Sequence, residues 1–188
     1  MRLTDGSLRF SATDLSNFSA CAHRTWLDRL RARGEAQPVR FDDPLLELLQ
    51  EKGIEHEAAY LEKLEADGKR VVRFGDIPKE RHHPGEYRRR AAETLEAMQS
   101  GADVIFQGTL FDGEWLGLVD FLVRVETPSD LGAWSYEVVD AKLTREAKAT
   151  AILQTCVYSE LLTPVQGREP ERVHLYLGGP RPRMEPFR

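Results

Sequence analysis

Hydrophobic and polar positions divide the chain into a mainly helical first half and a strand-rich second half. Before residue 100, apolar residues recur at helical spacing, and Pro44 and Pro84 stand where a proline suits the first turn of a helix. After residue 102, β-branched and aromatic residues form runs bounded by turn residues. The first predicted helix runs from a cap at Ser11 or Thr13 to about Arg33, and Gly34 and Pro38 mark a loop after it. A second helix, capped by Asp42 or Asp43, runs to about Asp67. The remaining predicted elements are a strand at 71–74, a helix at 84–99, strands at about 103–111, 114–126 and 133–143, a helix at about 146–162 and a strand at 172–177.

The order of these elements predicts an α/β or α+β fold. Helices come first, then a meander of strands, then a helix that crosses to a last strand, which implies a mixed sheet covered by helices. At 188 residues the chain is long enough for one domain with a sizeable core, and we take residues 1–188 as that domain. The tail 180–188 has no apolar periodicity to anchor it, so we expect the natural protein to continue beyond it.

Targeting and cysteine content suggest a cytoplasmic protein. The sequence has no apolar run long enough for a membrane span and no signal-peptide segment at its start. The two cysteines, Cys21 and Cys156, are too few for a disulfide framework and too far apart for a local zinc knuckle. We therefore expect reduced thiols, with Cys156 in the core.

Charge is distributed unevenly along the chain. The formal net charge is −5, but residues 42–67 hold nine acidic residues and two lysines, so the remainder carries about +2. Basic clusters in that remainder could contact phosphates, or they could be solvated helix faces and loops. These clusters are Arg29, Arg31 and Arg33; Lys79, Arg81, His82 and His83; Arg88, Arg89 and Arg90; and Arg181, Arg183 and Arg188.

Two predicted strands carry ionisable residues inside apolar runs: Asp120 on one, Asp140 and Lys142 on the next. Because side chains alternate along a strand, Asp140 and Lys142 share one face. If the strands pair through the turn-rich segment 127–132, two carboxylates and one ammonium group converge at the sheet surface. Two hard oxygen ligands suit Mg²⁺ or Mn²⁺.

Two alternatives remain open for these charges. An Asp-x-Lys sequence alone is also typical of alternating charges on a solvated strand face. Asp120, however, lies between the apolar residues Val119 and Phe121, and a buried carboxylate without a partner costs several kcal/mol. Such a carboxylate needs either a metal or a lysine, so a buried structural salt bridge with Lys142 is the second alternative.

His56 is a third candidate ligand, on the helix that would pack near this sheet. Gly53 and Ala59 lie three residues to either side, and small residues would permit the helix to approach the sheet closely. His56 could then reach a metal through one ring nitrogen. The alternatives are a surface or core histidine and, for the neighbouring Glu57, a helix-face charge.

Gln154 and Tyr158 are candidate substrate-binding residues. They stand four residues apart and share one face of the helix that follows Lys142. Either could bind a phosphate or a splayed base, and the alternative is an ordinary polar edge of an amphipathic helix.

Taken in chain order, four motifs resemble the RecB-like nucleases of the PD-(D/E)xK superfamily, of the type found at the N-terminus of RecB-like nuclease and helicase-associated proteins. The segment from Ser11 to Cys21 looks like the entry helix of that family, and Gln107-Gly108 fits its first core strand. The likeness therefore spans nearly the whole chain. The four motifs are Gly53-x-x-His56, Gly117-x-Val119-Asp120, Asp140-x-Lys142 and Gln154-x-x-x-Tyr158.

The resemblance implies a restriction-endonuclease-like core with a central mixed sheet flanked by helices. It implies that Mg²⁺ or Mn²⁺ is held by His56, Asp120, Asp140 and the Ala141 carbonyl, that Lys142 acts on the attacking water, and that Gln154 and Tyr158 assist substrate binding. Some relatives hold an iron–sulfur cluster with four cysteines. Only Cys21 matches one of them, so this chain alone is not expected to complete a cluster.

The activity implied is that of a metal-dependent exo- or endodeoxyribonuclease, with Asp120, Asp140 and Lys142 as catalytic residues, in DNA repair, recombination or defence. The partners implied are single- or double-stranded DNA and a helicase or ribonuclease-H-like region in the same chain or another; no membrane partner is expected. Two other functions remain open: a nucleic-acid-binding accessory module that does not cleave, and a structural domain with a buried Asp–Lys pair.

Overall fold

A computed structural model of the chain describes residues 1–37 and 42–188, in which a mixed eight-stranded sheet is flanked by five helices. Pro38, a predicted loop marker, lies outside the described residues. The elements are β1 (Arg2–Thr4), β2 (Ser7–Ser11), α1 (Ala12–Ala20), α2 (Ala22–Ala32), α3 (Pro44–Ala66), β3 (Val71–Arg73), a short 3₁₀ helix (Lys79–Arg81), α4 (Pro84–Gln99), β4 (Val104–Phe111), β5 (Trp115–Val125), β6 (Ser135–Lys142), α5 (Ala149–Gln166), β7 (Val173–Leu177) and β8 (Arg183–Phe187).

Strand β5 is the centre of the sheet and has two different neighbours along one edge. β4 runs antiparallel along its other edge. On the shared edge, Leu116 pairs with Ser11 of the parallel strand β2, whereas the pairing with antiparallel β6 begins at Phe121 and Val139. Between these two pairings, residues 117–120 have no ladder partner on that edge among the described residues. The sheet is therefore split where β2 and β6 diverge from β5.

The two faces of the sheet carry separate apolar clusters. Leu122 and Val138 belong to a cluster with residues of α4 and α5, such as Met98 and Leu162. On α3, three buried residues pack with Phe121 and Val139 in a second cluster; they are Tyr60, Leu61 and Leu64. Helices thus cover both faces, as the α/β pattern predicts. None of the helices in the described part of the chain has the length and hydropathy that a membrane crossing requires.

The first predicted helix is in fact two helices. The side chain of Asp14 accepts hydrogen bonds from the backbone N–H and the hydroxyl of Ser11, both at 2.8 Å, so Ser11 rather than Thr13 begins α1. Cys21 is extended, with φ −164° and ψ 109°, and separates α1 from α2. This break lets α2 turn back to lie beside β1.

Three strands, β1, β2 and β8, were not predicted. β1 and β2 form a hairpin through Asp5 and Gly6, whose φ angles of 52° and 74° are those of the tight turn that an Asp-Gly pair favours. β8 pairs antiparallel with β7, so the prediction that nothing anchors the tail is wrong. An edge strand is held by backbone hydrogen bonds and needs little apolar alternation, which is why the pattern missed it.

Gly178 fixes the end of β7 against the end of β6, close to Lys142. Its N–H donates to the Lys142 carbonyl at 2.8 Å, and a Cβ atom at this position would lie 2.4 Å from the Leu143 carbonyl oxygen.

We expect Gly178→Ala to destabilise the protein by about 1–3 kcal/mol, since the backbone must move to make room for the methyl group. Thermal unfolding should show a fall of several degrees, whereas Gly75→Ala, where the added methyl meets open space, should change little. Equal melting temperatures for the two variants would contradict this packing.

Candidate active site

Asp120 lies at the split in the sheet, and its side chain accepts a hydrogen bond that a β5 backbone carbonyl would otherwise accept from β6. The ladder between β5 and β6 ends at Phe121 and Val139. The next available β6 donor, the Ala141 N–H, binds the Asp120 carboxylate at 2.8 Å instead of a β5 carbonyl. Asp120 thus holds the two diverging strands together through its side chain, and burial raises the pKa of Asp120.

Asp140 is the most enclosed ionisable side chain of the site, with 1 % of its surface exposed. Lys142 places Nζ 2.6 Å from Asp140 Oδ2, as their shared strand face predicts. Lys142 is thus the ion-pair partner of Oδ2, whereas Asp140 Oδ1 accepts no hydrogen bond among the described residues. Burial, and then the charge of Asp120, raises the pKa of Asp140 to about 7 although Lys142 opposes the shift.

Glu57, for which a helix-face charge was one interpretation of the sequence, joins these two carboxylates. Burial and then the charge of Asp120 raise the pKa of Glu57 to about 7. Its carboxylate accepts a hydrogen bond from the Gln107 side-chain amide. A signal for it exists in the sequence, because Glu57 precedes the buried Leu61 and Leu64 by four and seven residues and so shares their face of α3.

Gln107 has an unusual backbone that belongs to the same arrangement. Its φ is +57°, a value that non-glycine residues rarely adopt, and it lies in β4 between Phe106 and Gly108, which pair with Phe121 and Val119. Gln107 is therefore the β4 residue opposite Asp120. Such a conformation costs about 1–3 kcal/mol and persists only where the surroundings hold it.

His56 has other partners than the carboxylates in this structure. Its Nε2 lies 3.1 Å from the Tyr176 carbonyl oxygen, and its ring stacks on the Tyr176 ring at 5.0 Å. Because a carbonyl only accepts, Nε2 carries the proton and Nδ1 is the nitrogen left for another ligand. The role of His56 as a metal ligand stays a prediction.

The packing of α3 differs from the prediction that small residues draw it close to the sheet. A Cβ atom at Gly53 would meet nothing within 4 Å, and Ala59 is exposed. Aromatic rings fill the interface instead, since Tyr60 stacks on Tyr176 with ring centroids 4.0 Å apart. The prediction that small residues let α3 approach the sheet closely is therefore wrong, because large aromatic residues position this helix.

Gln154 and Tyr158 are brought together, and Gly117 explains why Tyr158 can lie against β5. The Gln154 side-chain amide donates to the Tyr158 hydroxyl at 2.8 Å. A Cβ atom at Gly117 would lie 3.0 Å from the Tyr158 ring, so only glycine leaves room for it. Tyr158 is buried, and burial raises its pKa. Whether either residue binds substrate stays a prediction.

Both cysteines are free and exposed. The expectation that Cys156 is a core thiol is therefore wrong, because the residue is exposed on α5, where it lines a shallow hollow with Val173 and Phe187. Cys21 lies at the break between α1 and α2.

No family model matches the chain, and no curated protein matches its sequence. Among the described residues, no group of three or more His, Cys, Asp or Glu side chains is arranged to hold a metal ion as it stands. The site nevertheless has the oxygen ligands that a hard divalent cation prefers: an Asp140 oxygen that accepts no hydrogen bond among the described residues, and the carboxylates of Asp120 and Glu57. The three lie close enough for the charge of Asp120 to raise the pKa of both Glu57 and Asp140.

The raised pKa values predict how stability depends on pH. In the unfolded chain Glu57 and Asp140 titrate near 4.5 and 3.8, and in the folded protein both have a pKa of about 7. The folded state thus holds protons more tightly, so this contribution to stability is complete below about pH 4 and is lost as the pH rises through 7.

We therefore expect Asp140→Asn and Glu57→Gln to stabilise the metal-free protein at pH 8 by at least about 1 kcal/mol, the equivalent of one pKa unit. At pH 4 the difference from the wild type should vanish. Glu62→Gln, an exposed change on the same helix, is the matched control and should have no such pH dependence. Denaturant unfolding with EDTA at both pH values measures this, and lower stability of both variants at pH 8 would contradict it.

Proposed function

We propose that this protein is a divalent-metal-dependent nuclease that hydrolyses phosphodiester bonds of DNA. The observation that carries the proposal is Asp140, a buried carboxylate beside Asp120: its Oδ2 lies 2.6 Å from Lys142 Nζ, and its Oδ1 accepts no hydrogen bond among the described residues. A purely structural ion pair would be expected to satisfy both carboxylate oxygens. A buried oxygen without a donor, in a cluster of carboxylates with raised pKa, is typical of a functional site.

The metal would be Mg²⁺ or Mn²⁺, held by Asp120, Asp140 and Glu57, with the Ala141 carbonyl added by the resemblance. Glu57 is proposed in place of His56, the ligand that the resemblance implies, because Glu57 is coupled to Asp120 whereas His56 contacts the Tyr176 carbonyl. When bound, such a cation polarises a phosphoryl oxygen and lowers the pKa of a coordinated water. The three carboxylates support this assignment because burial and then the charge of Asp120 raise the pKa of Glu57 and Asp140, and a bound cation would offset both effects.

Lys142 contributes charge and position. Its ammonium group is held by Asp140, and it also lines the open space next to the carboxylates. A phosphodiester at this place would gain a cation that balances the negative charge developing on phosphorus-bound oxygens. Lys142 would also orient the attacking water by donating a hydrogen bond to it.

We further propose that β4, β5, β6, α5 and β7 form a restriction-endonuclease-like core. The three strands β4, β5 and β6 are an antiparallel meander, and α5 crosses to β7, which pairs parallel to β6. This order and these directions support the proposal, and they place Asp120, Asp140 and Lys142 on adjacent strands.

A second function, a nucleic-acid-binding accessory module that does not cleave, is favoured by one observation. The described residues contain no preformed group of three metal-ligating side chains, and Lys142 already neutralises Asp140 in part. Such a module would bind nucleic acid for a helicase or another nuclease domain without turnover.

Cleavage of end-labelled single- and double-stranded DNA with Mn²⁺, Mg²⁺ or EDTA tests the proposed activity. We expect cleavage by the wild type that EDTA abolishes, and a fall of at least about 100-fold in Asp140→Asn and Lys142→Ala, since each loses stabilisation of the reacting phosphate. Lys69→Ala, which removes an exposed lysine, is the control. Undiminished cleavage by folded Asp140→Asn would contradict the assignment, and metal-independent binding without cleavage would favour the accessory module.

The third metal ligand is tested separately. We expect Mn²⁺ to raise the melting temperature of the wild type and of His56→Gln but to have little effect on Glu57→Gln, because the Glu57 carboxylate is the one coupled to Asp120. Each variant is compared with itself in EDTA, which removes differences in basal stability. The opposite ranking would assign the ligand to His56.

A further inference from the structure

A hollow of about 290 Å³ lies next to the carboxylates, between α1 and the segment that joins β6 to α5. Lys142 belongs to both places, because it contacts Asp140 and also lines the hollow. The polar side chains of the hollow come from α1, the end of β6 and the first turns of α5. They include Thr13, Ser16, Lys142, Thr144, Lys148 and Gln154.

The chemistry of this lining is that of an anion site. Its polar side chains are hydroxyl, amide and ammonium groups, and no carboxylate is among the residues that line it. The Ser16 and Thr144 hydroxyls donate to backbone carbonyls, so the ammonium groups are the main attraction for an anion. The two ammonium groups give it a charge of opposite sign to the cluster of Glu57, Asp120 and Asp140. The cleft therefore has a negative part and a positive part that meet at Lys142.

Lys148 is the available cation of the hollow. It is exposed, precedes the first residue of α5, and takes part in no ion pair among the described residues. By contrast, the basic clusters noted in the sequence are partly neutralised: Arg89 and Arg90 pair with Glu86, and Arg31 pairs with Asp28. An ammonium group in a hollow without carboxylates has no ion-pair partner among residues 1–37 and 42–188.

We propose that this hollow binds a backbone phosphate of the nucleic acid next to the one that is cleaved, and that Lys148 is a positioning residue for it. The inference rests on the proposed nuclease function, since it takes the scissile phosphate to lie at Asp140 and Lys142. A phosphate at Lys142 has a neighbour along the same strand. The neighbouring phosphate would lie in the hollow, which Lys142 also lines. Such a contact does not depend on base sequence.

Lys148→Ala tests the proposal through binding as well as cleavage. Removing one phosphate contact should reduce the slope of log K against log salt by about 0.7 for a single strand or 0.9 for a duplex. It should raise KM more than it lowers kcat, because the group acts on substrate position. Lys148→Arg should retain the wild-type slope, and Lys69→Ala is the control lysine outside the hollow.

The probe is a fluorescent DNA oligonucleotide, and its anisotropy is followed across salt concentrations in EDTA so that cleavage does not interfere. The expected slope change supports the subsite, even if the protein binds without cleaving. An unchanged slope and KM in folded Lys148→Ala, with normal binding and cleavage by the wild type, would overturn the subsite and leave the nuclease proposal standing. A wild type that neither binds nor cleaves DNA would overturn both.

Discussion

The hydrogen bond from the Ala141 N–H to the Asp120 carboxylate is the interaction on which the candidate site depends. It ends the backbone ladder between β5 and β6 while keeping the two strands adjacent. Because Asp120 acts as a side-chain substitute for a backbone carbonyl, β6 can diverge from β5 without leaving its amide unsatisfied. The divergence opens the sheet on the side where β2 also leaves β5.

This arrangement concentrates negative charge in a poorly solvated place. Asp140 is brought next to Asp120 across the split, and Glu57 is held near them by the Gln107 amide. One ammonium group, that of Lys142, faces three carboxylates. Such a cluster has two ways to lower its energy, which are to bind protons or to bind a cation. The pKa of about 7 for Glu57 and Asp140 shows that the cluster binds protons more tightly than these carboxyl groups do in the unfolded chain.

Much of this fold follows from local patterns in the sequence. Asp43 and Pro44 at the start of α3, Pro84 at the start of α4, and the alternating runs of β4 to β6 each specify their element directly. The convergence of Asp120, Asp140 and Lys142 followed from strand alternation and a hairpin connection. These features depend only on neighbours in sequence or on one short turn.

Other features depend on contacts between distant parts of the chain, which the patterns do not contain. The orientation of α3 is set by Tyr60 on Tyr176, and that contact directs His56 to a backbone carbonyl while Glu57 lies near Asp120. The left-handed Gln107 likewise lies opposite Asp120 in the sheet, and its side chain binds Glu57 of α3, which is distant in sequence. Edge strand β8 was missed because backbone pairing, rather than apolar alternation, holds it.

The proposed metal site requires these carboxylates to bind a divalent cation in place of protons. Calorimetric titration with Mn²⁺ at pH 6.5, in two buffers of different ionisation enthalpy, measures the number of protons released on binding. We expect binding with release of about one proton or more, and loss of that release in Asp140→Asn. Absence of Mn²⁺ binding would contradict the proposed site. Mn²⁺ binding without proton release, equally strong in the wild type and in Asp140→Asn, would contradict it too.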